Sequence, residues 1–397
     1  MQKKHLYAMA GAHLCNDINS GALPALLPFF VTYRGMDYTD IGGLLFAGSF
    51  LASVIQPAFG FLADRASRQW FMGLGIMMCG VFLGLTGLMS SYWAIFASVT
   101  VMGIGSSIFH PEAARLVNRI SGSHKGQGMS IFSVGGNAGF GLGPLLAVGL
   151  VYLFGLEGTL FFAAVGIGMG TMMLIWAPRI RRMAESKDLK TENSESKKEQ
   201  TAESRSENDW GSFAKLTAVI IMRSVVSAGV RGFLPMFCIQ ILLVSHATGT
   251  ATLSVLSVLG IISTLIGGRV ADKIGYARTL KLGCLLLVPV IFLLVYCHMI
   301  SAIYLLLIPL SLAVQGTYAA FVVLGQSYLG RNIGFASGIT MGLSFSAGGC
   351  LVPVLGNFAD NYGLENAMWI LVGISATLAL CAQFLPEPEK IMPKKKA

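Results

Sequence analysis

Apolar residues in this chain neither alternate with polar ones nor fall on a single helical stripe. They come in long unbroken runs separated by short polar breaks. Twelve such runs lie near 6–33, 40–63, 70–89, 92–117, 127–154, 158–177, 212–238, 249–271, 279–298, 301–328, 335–358 and 365–385. A helix needs about 20 apolar residues to cross roughly 30 Å of hydrocarbon, and each run is of that order. Several are longer, so tilt or kinks are expected. Pro24, Pro28, Pro57, Pro111, Pro144 and Pro353 fall inside runs. Helices in lipid tolerate this when their neighbours satisfy the freed backbone groups. Strands of a membrane barrel would alternate over about 10 residues, and these runs do not. The pattern predicts an all-α membrane protein with twelve transmembrane helices.

Composition agrees. The chain is 54% hydrophobic and 12% charged, half the charge of an ordinary soluble domain at about 25%. Sixteen of its charged residues, eight of each sign, lie between Arg179 and Asp209. Residues 179–210 have almost no large apolar side chain, and such a segment buries too little surface to order itself. They read as a flexible charged cytoplasmic linker. It divides an N-terminal six-helix bundle, 1–178, from a C-terminal one, 211–397, with a short basic tail.

The basic residues set the orientation. With the N-terminus in the cytoplasm, 25 of the 28 lysines and arginines fall at cytoplasmic ends or loops, Arg34 falls outside, and Arg223 and Arg231 fall within the seventh run. This positive-inside bias places both termini in the cytoplasm. It accounts for the net charge of +9 without nucleic acid, and anionic lipids become the expected neighbours. The first run is too long for a cleaved leader and has no small-residue cleavage site after a short core. All seven cysteines lie within runs and none forms a Cys-x-x-Cys pair, so neither a disulfide nor a metal framework is expected.

The two halves repeat. Gly60-Phe61-Leu62-Ala63-Asp64-Arg65 recurs as Gly268-Arg269-Val270-Ala271-Asp272-Lys273, 208 residues on. Gly143-Pro144 meets Val352-Pro353 at an offset of 209. Duplicated six-span halves around a midplane site are one transporter plan.

These residues carry a resemblance. Gly60-x-Leu62-Ala63-Asp64-Arg65-x-x-Arg68 resembles the cytoplasmic loop signature of the major facilitator superfamily, and Gly135-x-x-x-Gly139-x-x-x-Gly143-Pro144 resembles its antiporter motif. His13-x-x-x-Asp17 with Gly21-Ala22-Leu23-Pro24, Phe109-His110-Pro111-Glu112, and Phe132-Ser133-Val134-Gly135-Gly136-Asn137 are similar to the fosmidomycin-resistance efflux family. The resemblance implies two pseudo-symmetric six-helix bundles and alternating access. It implies gating by Asp64, Arg65, Arg68, Asp272, Gly139, Gly143 and Pro144, and places Asn137 among the substrate-binding residues. Ser67 replaces a signature glycine, Tyr276 stands where the second copy would carry its later arginine, and Ala147 and Val148 replace the last glycines of the antiporter motif.

Ionisable groups within the runs are expensive in a membrane and are therefore candidates for function. His13 and Asp17, four apart, share a helix face. Asp17 lies about 18 Å into the first run at 1.5 Å per residue, near the midplane. His13, Asp17, His110 and Glu112 are the candidates for proton coupling. Glu112 is also three residues before Arg115, a spacing that suits an ion pair or a gating contact. Arg223 reaches a depth similar to that of Asp17 in the seventh run, with Arg231 two turns further. Two cations on one wall imply an anionic ligand, Arg223 being the leading contact and Arg231 its support. An interhelical salt bridge is the alternative for either.

The expected function is a proton-coupled secondary transporter, an antiporter that exports a small anionic or polar compound. The resemblance suggests a fosmidomycin-like phosphonate. An importer of the same fold is the alternative. A membrane enzyme would need clustered ligands or a nucleophile with its base, and no Gly-x-x-x-x-Gly-Lys-Ser/Thr phosphate loop is present to use ATP. The protein is expected to act without a cofactor other than the proton gradient, as a monomer in the cytoplasmic membrane.

Overall fold

The computed structural model describes residues 3–65, 70–192 and 207–388. Each of the twelve expected runs carries helix. In chain order the elements are α1 (Lys3–Arg34), α2 (Tyr38–Leu45), α3 (Leu51–Arg65), α4 (Trp70–Leu85), α5 (Tyr92–Ser121), α6 (Lys125–Phe154), α7 (Leu160–Glu192), α8 (Trp210–Gln240), α9 (His246–Ile274), α10 (Tyr276–Tyr296), α11 (Ile300–Val314), α12 (Tyr318–Tyr328), α13 (Ile333–Tyr362) and α14 (Leu364–Gln383). No strand occurs among the described residues. Nine stretches of the described residues are long and apolar enough to cross a membrane, and one of these, Lys125–Ile180, takes in α6 and the first part of α7.

Two runs hold interrupted helices. A π-helical turn, Phe46–Phe50, joins α2 to α3. The run 301–328 is broken between α11 and α12 at Gln315, Gly316 and Thr317. Discontinuous helices of this kind survive in lipid only where other groups take up the freed backbone. Caps define several helix starts. Asp37 and Asp40 form a reciprocal capping box at α2. Asp209 accepts from the Ser212 N–H at α8, and its bonds to Ser212 hold the carboxyl below its ordinary value. The helix that begins at Leu160 continues into the charged segment as far as Glu192. Residues 193–206, the middle of the expected linker, lie outside the described residues.

The chain forms two compact units. Unit 1 contains Met1–Gly122, Ile131–Asn208 and Gly330–Gly342. Unit 2 contains Ser123–Ser130, Asp209–Leu329 and Leu343–Ala397. They depart from a simple cut at the linker in two short pieces. The first turn of α6 groups with unit 2, and the first turns of α13 group with unit 1.

Close packing in unit 1 depends on the α6 glycines. A β-carbon at Gly139 would stand 2.5 Å from the Leu14 carbonyl oxygen, and one at Gly135 or Gly143 would strike the Ala10 or Ile18 carbonyl. Small residues spaced four apart let the backbone of α6 rest on that of α1. Pro144 offers no N–H to the Phe140 carbonyl, and that carbonyl lies against Gly21, where a β-carbon would be 2.7 Å away.

Candidate functional site

The buried polar centre of unit 1 is built around Asp17 of α1. Its Oδ2 lies 3.0 Å from His13 Nε2, one turn earlier on the same helix. Its Oδ1 lies 3.3 Å from His110 Nε2 of α5 and accepts from Asn16 Nδ2 at 2.9 Å. Asp17 is 3% exposed and His13 4%, so these charges sit out of contact with solvent and each needs its partner.

Neighbouring helices fix both imidazoles. His13 Nδ1 lies 2.8 Å from the Phe132 carbonyl oxygen, and its ring stacks on Phe132 with centroids 4.0 Å apart. His110 Nδ1 lies 2.8 Å from the Ser106 carbonyl oxygen, one turn back on α5. Asn16 also donates to Ser106 Oγ at 3.2 Å and accepts from Cys79 Sγ at 3.2 Å. Gly136 of α6 completes the wall. A β-carbon there would lie 2.5 Å from His13 Cε1 and 2.7 Å from Asp17 Oδ2, so the His13–Asp17 contact fills the space any other residue would need.

Of the four residues proposed for proton coupling, the structure brings together His13, Asp17 and His110. Glu112 is buried, and its Oε2 lies 3.8 Å from Arg115 Nη1. Arg115 in turn donates to the Ala63 carbonyl at the end of α3. That arrangement fits the gating alternative for Glu112 better than membership of the cluster. Asn16 and Gly136 escaped the sequence reading. An uncharged amide beside a mid-span aspartate is a signal that was available for Asn16. Gly136 lies within the quoted Phe132–Asn137 stretch but has no side chain to mark it.

In unit 2 the two arginines differ in their contacts. Arg223 is 6% exposed. It donates through Nη2 to the Val314 carbonyl and through Nε to Thr317 Oγ1 at 3.3 Å, and its guanidinium lies 4.7 Å from the Phe321 ring centroid. Val314 ends α11, so Arg223 supplies a donor to a carbonyl that the helix break leaves without its helical one. Arg231 is exposed. Among the described residues no hydrogen bond or ion pair engages it. It lines a small cavity with Ser227 and Gln315, and the buried Gln315 Oε1 has no protein donor. Arg223 was expected as the leading anion contact and Arg231 as its support; in the structure Val314, Thr317 and Phe321 engage the Arg223 guanidinium. Asn137 is exposed, next to Gly136 on α6.

The repeated aspartates hold helix starts. Asp64 accepts from the Gly334 and Phe335 N–H groups at 2.7 and 2.8 Å, at the beginning of α13. Asp272 accepts from Gly126 and Gln127 at 2.7 and 2.9 Å, at the beginning of α6. A carboxylate suits this place because the first N–H groups of a helix lack intrahelical acceptors and carry its positive pole. Tyr276, the departure from the second signature, donates its hydroxyl to Asp272 Oδ1 at 2.6 Å. Arg65 stacks on Phe61, 4.2 Å from the ring centroid. Arg68 lies outside the described residues.

A bundle of duplicated helical halves, with charges buried at mid-span and paired loop aspartates, is the architecture of a secondary transporter. Residues 9–353 match the Major Facilitator Superfamily, and the chain belongs to that family. It is 28% identical over 403 residues to the MFS-type transporter YfnC of Bacillus subtilis, covering 96% of this chain and 92% of that protein. It is 26% identical over 385 residues to the fosmidomycin resistance protein of Escherichia coli, with the same coverage. Among solved structures, the human organic anion transporter MFSD10 superposes with a TM-score of 0.75 at 18% identity, over 96% of this chain and 100% of that one. The fucose:proton symporter FucP of E. coli superposes at 0.72 with 12% identity, over 96% and 98%. These two likenesses concern the fold. The protein is a multi-pass membrane transporter.

Proposed function

We propose that this transporter is a proton-coupled antiporter that exports a small anionic compound, with fosmidomycin-like phosphonates as the first class to test. The observation that carries the reading is the buried His13–Asp17–His110 cluster. Intramembrane carboxylates and histidines of this kind form proton relays. An imidazole changes charge in the physiological pH range, and a carboxylate beside it stabilises the charged form.

The anion is assigned to Arg231. An arginine stays charged and offers a planar fork to carboxylate or phosphonate oxygens. No described residue engages the Arg231 fork by hydrogen bond or ion pair, while Arg223 spends its own on the α11–α12 break. Gln315 Oε1, beside the same cavity, is suited to a hydroxyl or N–H of the ligand. A phosphonate with a hydroxamate has both features, and the similarity to a fosmidomycin resistance protein favours the same class.

Alternation is assigned to Asp64 and Asp272. Contacts between charged groups and helix ends can form in one state and break in the other. The transporter works as a monomer in the cytoplasmic membrane with both termini inside. The test is flux in proteoliposomes. Export-direction transport of a radiolabelled phosphonate should follow an imposed proton gradient and stop when the gradient is collapsed. Gradient-independent flux across a panel of anions would overturn the reading.

A further inference from the structure

The hydrogen-bond geometry around Asp17 fixes where the protons are. Their role rests on the reading that this cluster carries the coupling protons. His13 Nδ1 and His110 Nδ1 each face a backbone carbonyl at 2.8 Å. A carbonyl only accepts, so both Nδ1 atoms carry hydrogen. The Ser106 hydroxyl, 3.2 Å from His110 Nδ1, does not change this, because the nearer carbonyl has no hydrogen to give. Each Nε2 then holds either a lone pair or a second proton. Both face oxygens of one carboxylate, at 3.0 and 3.3 Å. Without a proton between them, lone pair meets lone pair. Two contacts therefore need two protons.

Asp17 is wired as an acceptor throughout. It receives Asn16 Nδ2 as well as the two imidazoles. The Asn16 amide turns its Nδ2 to Asp17 and Ser106 Oγ and its oxygen to the Cys79 thiol, which also lies 3.2 Å from the Met102 carbonyl. We propose that Asp17 is a fixed counter-ion, that His13 and His110 are the proton carriers and are both loaded in the closed cluster, and that His110 is the one that releases its proton during transport.

The two histidines are not equivalent. His13 is clamped between the Phe132 ring and the Gly136 backbone. The side chain of His13 is 5% exposed and that of His110 is 14%, and the His110 contact is the longer. Loss of one proton leaves a neutral cluster with one repulsive contact. The looser, more exposed imidazole is the one that turns away. Of the other titratable or charged groups on the helices that form the cluster, Cys79 on α4 meets it through Asn16, while Glu112 and Arg115, further along α5, pair with each other. The part of α6 facing it, 131–140, has none.

The experiment is nitrogen-15 NMR of ring-labelled histidine in the full-length protein, across the range of about pH 5 to 8 where imidazoles titrate. His110→Gln and His13→Gln supply the assignments. Both Nδ1 atoms should stay protonated throughout, and His110 Nε2 should lose its proton first. Gly136→Ala changes no titratable group but intrudes on the His13–Asp17 contact, and should shift the His110 midpoint. In proteoliposomes His110→Gln should lose gradient-driven transport. Titration at Nδ1, His13 releasing first, or a divalent metal retained at one per chain would each overturn the proposal. So would gradient-driven transport at the wild-type rate in His110→Gln. If Asp17→Asn alone abolishes coupling, this inference fails and the coupling site stands. If neither Asp17→Asn nor His110→Gln affects coupling, the site itself is wrong.

Discussion

Asp64 and Asp272 stand 208 residues apart and make the same bond. Each carboxylate takes two consecutive N–H groups at the start of a helix, and the donors, Gly334 with Phe335 and Gly126 with Gln127, are themselves 208 apart. The internal repeat is therefore a repeat of contacts as well as of letters. In both cases the partner comes from the other half of the sequence, which is why the first turns of α6 and α13 group with the units they do.

Replacing either aspartate with asparagine removes the charge and sets an amide N–H against a backbone N–H. A hydrogen bond to a charged group contributes about 1.5–3 kcal/mol. Asp64→Asn and Asp272→Asn should each shift the equilibrium away from the state with these bonds by roughly 10- to 150-fold. The two pairs share no partner, so the effects should add in the double variant. Alkylation rates of single cysteines introduced on α6 and α13 would report the shift, and unchanged rates would remove these residues from gating.

Asp17→Asn preserves size and removes the counter-ion of two imidazoles. Gradient-driven transport should be abolished while the protein remains folded and inserted. Substrate concentrated against its gradient at the wild-type rate would exclude Asp17 from coupling.

The arginines should separate in a binding and melting experiment. Arg231→Gln should weaken substrate affinity by roughly 10- to 150-fold with little change in melting temperature. Arg223→Gln takes the charged donor from the Val314 carbonyl, which keeps only the Thr317 hydroxyl at 3.1 Å; the loss should cost about 1–3 kcal/mol and lower the melting temperature. Arg223→Lys keeps the charge but not the fork and should recover only part of the loss. The opposite pattern, affinity lost at Arg223 and stability lost at Arg231, would restore the order first read from sequence.

On α6, Gly135→Ala, Gly139→Ala and Gly143→Ala should each force α1 away and destabilise the protein by about 1–3 kcal/mol, as overpacking does. Gly141→Ala and Gly149→Ala, with nothing within 4 Å of the new β-carbon, should be neutral or slightly stabilising, since alanine is the better helix former. Thermal melts of the five variants side by side would check this. Equal effects at all five would mean that the stripe is not the packing face.

Orientation can be read with membrane-impermeant thiol reagents in a cysteine-free background. Glu207→Cys, near the end of the linker, should label only when the cytoplasmic side is accessible, and Ser90→Cys, between α4 and α5, only from outside. Labelling of position 207 in intact cells would invert the topology.

The sequence by itself determined the class of fold, because long apolar runs admit only helices in lipid. It also located the repeat and named most of the cluster, since a charge in a membrane span is costly enough to stand out in a one-dimensional reading. It could not say which charges meet. His13 and Asp17 share a face by spacing, but His110 arrives from 93 residues away and only packing brings it to the same carboxylate. Glu112, two residues further on the same helix, pairs with Arg115 instead. Arg223 and Arg231 are identical as letters. The break between α11 and α12 engages one, whereas no described residue pairs with the other, and that break becomes visible only when the run 301–328 is built. Gly136 had no side chain to announce it, and its role follows from the volume that His13 and Asp17 take up beside it. Spacing reports on one helix at a time, whereas proton sites, ion pairs and vacancies belong to contacts between helices, which tertiary structure alone decides.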